Sequence, residues 1–310
     1  MLRRVIRRPA IERALLRTRD SCDWVLAKLL LGLLRIARML PPERSLRLAE
    51  WIGRRFAPVL PRTALARENM RRAFPDASSA QIEAWVRGAW GSTTRMVGEF
   101  VFLEHLIDID PKYPERGRIE VVGMEHLAAI RGKDRPAIIF TAHTGNWEIL
   151  PVVAAAHGLE VTALFRPPNN RYLAEELLAA RRTAGGGLVP SRAGAAWALA
   201  GVLDRGGTVG LLADQWFGRG VPISFMGRPT RGNPLAAKLA RNFDCSIYPA
   251  RSVRLPGGRF RLEIEPPIDA PRAPDGRLDV QATTQRIADV IERWVREYPD
   301  QWLWLHRRWK

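Results

Sequence analysis

From Ile119 onward the chain alternates short, β-branched apolar runs with longer segments of helical period, and few folds are open to such a pattern. Strands are expected at 119–122, 137–142, 160–165, 187–190, 208–213, 246–253 and 259–265, and helices at 125–131, 146–157, 171–183, 192–204, 233–242 and 281–297. Leu255-Pro-Gly-Gly258 turns the chain between the last two strands, an antiparallel hairpin. The alternation predicts an α/β fold, a mixed and mostly parallel central sheet flanked by helices. Ahead of it, Pro41-Pro42 and the Pro58-to-Pro61 turn punctuate a helical region reaching about Leu106. There Trp51, Phe56, Phe74, Trp85, Trp90, Phe100 and Phe102 are most simply core anchors.

In open sheets of this kind, sites form beyond the carboxyl ends of strands, where His143, Arg166 and Asp214 all fall. His143 stands in Ala137-Ile-Ile-Phe-Thr-Ala-His-Thr-Gly-Asn-Trp-Glu148, an apolar strand followed by turn and cap residues. On one helix His143 and Glu148 would lie roughly 140° apart at about 100° per residue, so the histidine must precede the helix. Glu148, in the first helical turn, can then fold back onto one imidazole nitrogen and leave the other free to take a proton. Taken singly, each residue also has a structural reading: a hydrogen-bonded histidine after a strand, and an acid complementing a helix N-terminus.

Charge bounds the partners. The 310 residues carry 49 Lys/Arg against 32 Asp/Glu, a net charge of +17, and 46% hydrophobic content is enough for a substantial core. Residues 1–72 hold 18 of the basic residues and only 6 of the acidic ones, so the excess is concentrated there and calls for an anionic partner. Trp24 to Leu40 is aliphatic, with Lys28, Gly32, Arg35 and Arg38 on one narrow side of a helical wheel and leucines on the broad face. Seventeen helical residues span only about 25 Å. Roughly nine aliphatics at about −0.5 kcal/mol each do not offset three charges at about +3 kcal/mol each, so lying in the interface is favoured over crossing. An ordinary core helix with a basic outer face is the other reading. No small-residue cleavage site follows the apolar stretch, which argues against a removed signal. Residues 1–45 are therefore expected to form a basic, amphipathic, membrane-associated segment on the cytoplasmic side of a membrane, and residues 46–310 a single catalytic domain.

The wording of the motif goes further than its spacing. His143-Thr-Gly-Asn-Trp-Glu148 resembles the His-x4-Asp/Glu motif of the lysophospholipid acyltransferase superfamily, and in particular the late (lauroyl/myristoyl) acyltransferases of lipid A biosynthesis. Arg118 to His126, Leu164-Phe-Arg-Pro-Pro-Asn-Asn170, Gly210-Leu-Leu-Ala-Asp-Gln215, Phe225-Met-Gly-Arg-Pro-Thr230 and the ending Gln301-Trp-Leu-Trp-Leu-His-Arg-Arg-Trp-Lys310 are similar to further blocks of that family, in the same order. The family often has an N-terminal spanning helix, from which Trp24 to Leu40 departs. The resemblance implies transfer of a fatty acyl chain from an acyl carrier protein thioester to a hydroxyl of an anionic glycolipid, a lipid A precursor, with no cofactor and no metal.

Under that expectation His143 is the general base and Glu148 sets its tautomer. Arg166, or backbone N–H groups of Thr144-Gly145-Asn146, would stabilise the oxyanion; Arg166 would alternatively hold a lipid phosphate or face solvent. Asn146 is grouped with the substrate-binding residues. Asp214 orients Arg166 or the acceptor, or caps a turn. Arg228 and Arg231 suit phosphate or carrier contacts, or form a plain basic loop. Trp302, Trp304, His306, Arg307, Arg308 and Trp309 either close the fold or make an interfacial belt, closure being favoured.

Other classes fare less well. An acyltransferase acting on another glycolipid or on a lysophospholipid is the nearest alternative. A pI near 11.2 and eleven tryptophans raise nucleic-acid binding, but no recognised module appears and the tryptophans are scattered. Cys22 and Cys245 lack metal-ligand spacing, and no other histidine makes an i, i+4 pair with His143, so a metallohydrolase is poorly supported.

Overall fold

A computed structural model describes residues 9–108, 117–132, 135–166, 170, 172 and 186–310. The helix expected at 171–183 lies outside the described residues apart from Tyr172.

The N-terminal region is helical. α1 (Pro9–Arg38) leads through Pro41 into α2 (Pro42–Phe56), whose proline sits at the first helical position, where its missing N–H costs nothing. α3 (Thr63–Ala73) and α4 (Ser79–Val101) follow. α4 opens on a capping box: the Ser78 hydroxyl accepts from Gln81 N at 3.2 Å, and Ser78 N donates to Gln81 Oε1 at 3.0 Å. α2 lies against α4, where the Thr94 hydroxyl donates to Ala49 O at 2.8 Å. A single turn, α5 (Leu103–Leu106), ends this region.

The alternating region forms β1 (Ile119–Val122), α6 (Met124–Arg131), β2 (Ala137–Thr141), α7 (Ile149–Ala156), β3 (Val161–Phe165), β4 (Leu188–Pro190), α8 (Ala195–Asp204), β5 (Thr208–Leu212), β6 (Val221–Phe225), β7 (Arg228–Gly232), α9 (Leu235–Phe243), β8 (Ser246–Arg254), β9 (Phe260–Ile264) and α10 (Val280–Glu297). Among the described residues seven strands make one sheet, in the order β1-β9-β8-β2-β5-β3-β4. Every pairing in it is parallel except the β8–β9 hairpin, turned at Pro256–Gly258. The expected mixed, mostly parallel sheet is the observed one, with each expected strand displaced by a residue or so at most.

β6 and β7 were not expected. Pro222 and Pro229 argue against a strand in a wide sheet, but these strands pair only with each other, and a two-stranded ribbon tolerates prolines as edge strands do. Met226 (φ 54°) and Gly227 (φ 69°) supply the two left-handed residues of a tight hairpin turn.

The two faces of the sheet differ. Ile138, Phe140 and Val209 point into a core shared with α8, α9 and α10 and with Trp302 and Trp304, and are fully buried. Ile139, Thr141, Ala163, Gly210 and Leu212 point to the other face, beneath α6 and α7, and are only half-buried although they lie mid-sheet. That face covers a cavity.

Candidate active site

Register assembles the site. β2 and β5 are parallel with Thr141 opposite Leu212, so residues two positions past each meet: His143 and Asp214. The His143 amide donates to Asp214 Oδ2 at 2.9 Å, and His143 Nδ1 lies 2.8 Å from Asp214 Oδ1. The Trp302 indole N–H donates to Oδ2 at 2.8 Å, so three donors hold one fully buried carboxylate. Burial alone would raise the Asp214 carboxyl, but the positive charge and hydrogen bonds of His143 outweigh it and hold Asp214 well below the usual carboxylate range. An ionised carboxylate accepts only, so Nδ1 carries a proton, and whenever the ring is neutral its lone pair sits on Nε2. Gln215 Nε2 lies 3.4 Å from that atom, and the Trp147 ring packs edge-on at 4.7 Å.

The sequence reading gave Glu148 the place that Asp214 occupies. In the structure Glu148 precedes α7 and its Oε1 accepts from the Trp147 indole at 3.0 Å, while Nδ1 is held by Asp214. The two carboxylates flank the imidazole differently: Asp214 is buried behind it, and Glu148 lines the cavity in front of it.

The turn bearing His143 is braced on every side. Gly145 has φ 57°, and a Cβ there would stand 2.1 Å from Ser252 O on β8, so only glycine fits. Its N–H donates to Gln301 O at 3.0 Å, and the Thr144 N–H to Ala142 O at 2.8 Å. These two amides are therefore engaged inside the protein, which removes them from the oxyanion role considered above. Asn146, grouped above with the substrate-binding residues, is buried as well and does not line the cavity. Its Nδ2 donates to Glu99 Oε2 at 3.0 Å and its Oδ1 accepts from Glu148 N at 3.1 Å. Glu99, fully buried on α4, is paired with Arg254 and, at 3.0 Å, with Arg95, so its charge is compensated. Nothing in the sequence marked Glu99, Arg95, Arg254 or Trp302 as part of this site, because each reaches it only through long-range packing.

In front of His143 a cavity of about 290 Å³ runs beneath α6 and α7. Its walls are mainly hydrocarbon, including Ile139, Ala163, Leu188, Gly210, Leu150 and Ile264; Thr141, His143, Trp147, Glu148, Phe165 and the exposed Arg166 are the polar and aromatic groups along it. Arg228 and Arg231 do not line it. Both are exposed on β7, and the Arg228 guanidinium donates to Arg72 O at 2.8 Å. Among the described residues no group of three or more His, Cys, Asp or Glu side chains is arranged to hold a metal ion.

A mostly parallel α/β sheet that presents a carboxylate-held histidine at the head of an apolar cavity defines a class, and comparison with known families agrees with it. Residues 11–310 match the family model described as bacterial lipid A biosynthesis acyltransferase, and the chain belongs to that family. A phosphatidylinositol mannoside acyltransferase of Mycolicibacterium smegmatis is 24% identical over 196 residues, 62% of either chain. One of Mycobacterium tuberculosis H37Rv is 26% identical over 193 residues, 60% of this chain and 58% of its own. A lipid A biosynthesis acyltransferase of Haemophilus influenzae is 22% identical over 264 residues, 84% of this chain and 78% of its own. The match thus spans about three fifths of the length of the mycobacterial relatives and more of the Haemophilus one.

Proposed function

We propose that this protein is a membrane-associated O-acyltransferase that moves a fatty acyl chain from an acyl carrier protein thioester to a hydroxyl of a lipid A precursor. The observation that carries the reading is the imidazole of His143, fixed by a buried carboxylate and presented to a cavity walled mainly by hydrocarbon. An alcohol is too weak an acid to attack a thioester unaided. Nε2 of His143 takes the hydroxyl proton as the oxygen bonds to the carbonyl carbon, and Asp214 stabilises the imidazolium, together contributing about 10²- to 10⁴-fold. When the tetrahedral adduct collapses, the C–S bond breaks and His143 returns the proton to the leaving thiolate. Arg166, exposed at the mouth, serves the developing oxyanion or an anionic headgroup. Glu148 keeps Trp147 beside the imidazole and shapes the entrance on the acceptor side.

Two observations support a lipid surface as the place of work. Among the described residues, thirteen of the eighteen exposed large hydrophobics lie between Trp24 and Val59, on α1, α2 and the turns after them, interleaved with Lys28, Arg35, Arg38, Arg47, Arg54 and Arg55. Asn170 and Tyr172, just beyond Arg166, hydrogen-bond to Asp23 O and Asp20 Oδ2 of α1 at 2.7 and 3.2 Å, which ties this face to the cavity mouth. No helix among the described residues is long and apolar enough to cross a membrane. On the exposed apolar and basic face of α1 and α2 we rest the reading of an interfacial seat, on the cytoplasmic side of the inner membrane.

The names of the mycobacterial relatives favour a second acceptor, a mannosylated phosphoinositide, within the same chemistry. The family match over residues 11–310 favours the lipid A precursor. The test is to supply purified protein with acyl carrier protein thioesters of graded chain length and each glycolipid in turn, and to identify products by mass spectrometry. Acylation of the lipid A precursor that is lost in His143→Ala, with fold and vesicle binding intact, is the expected result. No transfer to either glycolipid, or unchanged turnover in His143→Ala, overturns it.

A further inference from the structure

The last segment of the chain is fastened to the turn that carries His143. Leu303 N donates to His143 O at 2.9 Å, Gly145 N donates to Gln301 O at 3.0 Å, and Thr144 and Trp302 form an antiparallel bridge. From this short strand the indole N–H of Trp302 reaches Asp214 Oδ2 at 2.8 Å. The indole itself is locked. Trp302 is 1% exposed, and its ring is flanked by Trp304 at 4.6 Å, His306 at 5.1 Å and Phe225 at 5.6 Å.

We infer that Trp302 is a positioning residue for acyl transfer, acting through the hydrogen bond from its indole nitrogen to Asp214. This rests on the reading of His143 as general base. Asp214 Oδ1 is the oxygen that holds the imidazole, and Oδ2 is held by the His143 amide and by Trp302. Both of the other donors belong to His143 itself, so they move with the turn they are meant to fix. Trp302 is the donor that comes from elsewhere in the chain, and it sets the rotation of the carboxylate plane relative to the sheet. Without it the carboxylate can swing about its last torsion and carry the imidazole with it. A buried charge also loses one of the donors that replace its water. Misaligning a base costs turnover while leaving binding of either substrate alone, because the acyl cavity and Arg166 lie in front of the imidazole and Trp302 lies behind it.

The decisive experiment replaces the Trp302 indole with benzothiophene by site-specific incorporation of benzothienylalanine. This keeps the shape of the ring and removes only the N–H. Trp302→Phe and His143→Ala are assayed beside it, using a dodecanoyl-acyl carrier protein thioester and the lipid A precursor. The expected result is a kcat lower by about tenfold or more for the benzothiophene protein, with KM for both substrates within about twofold of native, and a native circular-dichroism spectrum at the assay temperature. A kcat within about twofold of native, or a loss confined to KM, overturns the inference while an inactive His143→Ala leaves the general-base reading standing. Should His143→Ala retain turnover, it is the general-base reading that fails. If Trp302→Phe does not fold, the benzothiophene isostere alone decides.

Discussion

At the scale of single residues, the site separates two carboxylates that the sequence offers together. Asp214 is buried and bonded to Nδ1; Glu148 lines the cavity and bonds to Trp147. Asp214→Asn keeps the shape but presents an amide that can donate to the ring, which favours the tautomer with its proton on Nε2. Its kcat is expected to fall by about 10³- to 10⁴-fold with little change in KM, measured by steady-state acyl transfer. Glu148→Ala frees Trp147 from its place beside the imidazole and is expected to cost less, about 10- to 100-fold. A larger loss for Glu148→Ala than for Asp214→Asn would reverse these two roles. His143 was legible because an apolar strand ending in turn residues is a local pattern. Asp214 was legible only as one of three polar residues at strand ends. Its partnership with His143 was not, since 71 residues separate them and register alone unites them.

At the scale of elements, the cavity floor and the basic helices each make a claim. Gly210 on β5 stands between Ile139 of β2 and Ala163 of β3, and a Cβ there would lie 2.9 Å from Val161 Cγ1 and 3.8 Å from Ala163. Gly210→Val therefore fills the floor, and the products read by mass spectrometry are expected to move to shorter acyl chains; an unchanged chain-length profile counts against this cavity as the acyl site. On α1, Leu29 and Leu33 are 68% and 62% exposed. Burying each leucine in an interface is worth about 1.5 to 3 kcal/mol, so Leu29→Glu with Leu33→Glu should weaken sedimentation with anionic vesicles by more than about tenfold. Equal binding by the double variant would place the lipid contact elsewhere. The helical period of this segment was plain in the sequence. The exposed apolar face of α2 was not, because Trp51 and Phe56 read as core anchors until packing left them 57% and 47% exposed.

At the scale of the whole molecule, the chain's ending closes the fold. Trp302, Trp304 and Arg308 are buried, Arg308 lies 4.6 Å over the Phe225 ring, and the Thr230 hydroxyl donates to Arg308 O at 2.7 Å. Burial pushes His306 down to about 4, against the pull of Asp214. The unfolded chain takes up this proton from about 6.5 downward and the native protein only near 4, so the unfolded state binds more protons in that window and stability falls as pH drops through it. The loss is roughly 3 kcal/mol, complete near pH 4. Asp214 adds a later phase in the same direction below the ordinary carboxylate range, because its lowered value favours the folded state only while the unfolded carboxyl is ionised. Melting temperatures recorded from pH 7 to 4 should fall for the native protein and flatten for His306→Gln. A pH-independent native curve would contradict the assigned cause.

Strand and helix periods, turn chemistry and the basic aliphatic arm are properties of neighbouring residues, and for that reason the order of layers, the position of His143 at a strand end and the concentration of charge were determined by the sequence alone. The pairing of His143 with Asp214, the brace from Trp302, the engagement of Asn146 with Glu99 and the remoteness of Arg228 and Arg231 were decided by tertiary structure. Each depends on the register of strands far apart in the chain and on the face toward which packing turns a side chain. Register is a collective outcome of burying one side of the sheet under α8, α9 and α10 while leaving the other hollow, and no local pattern contains it.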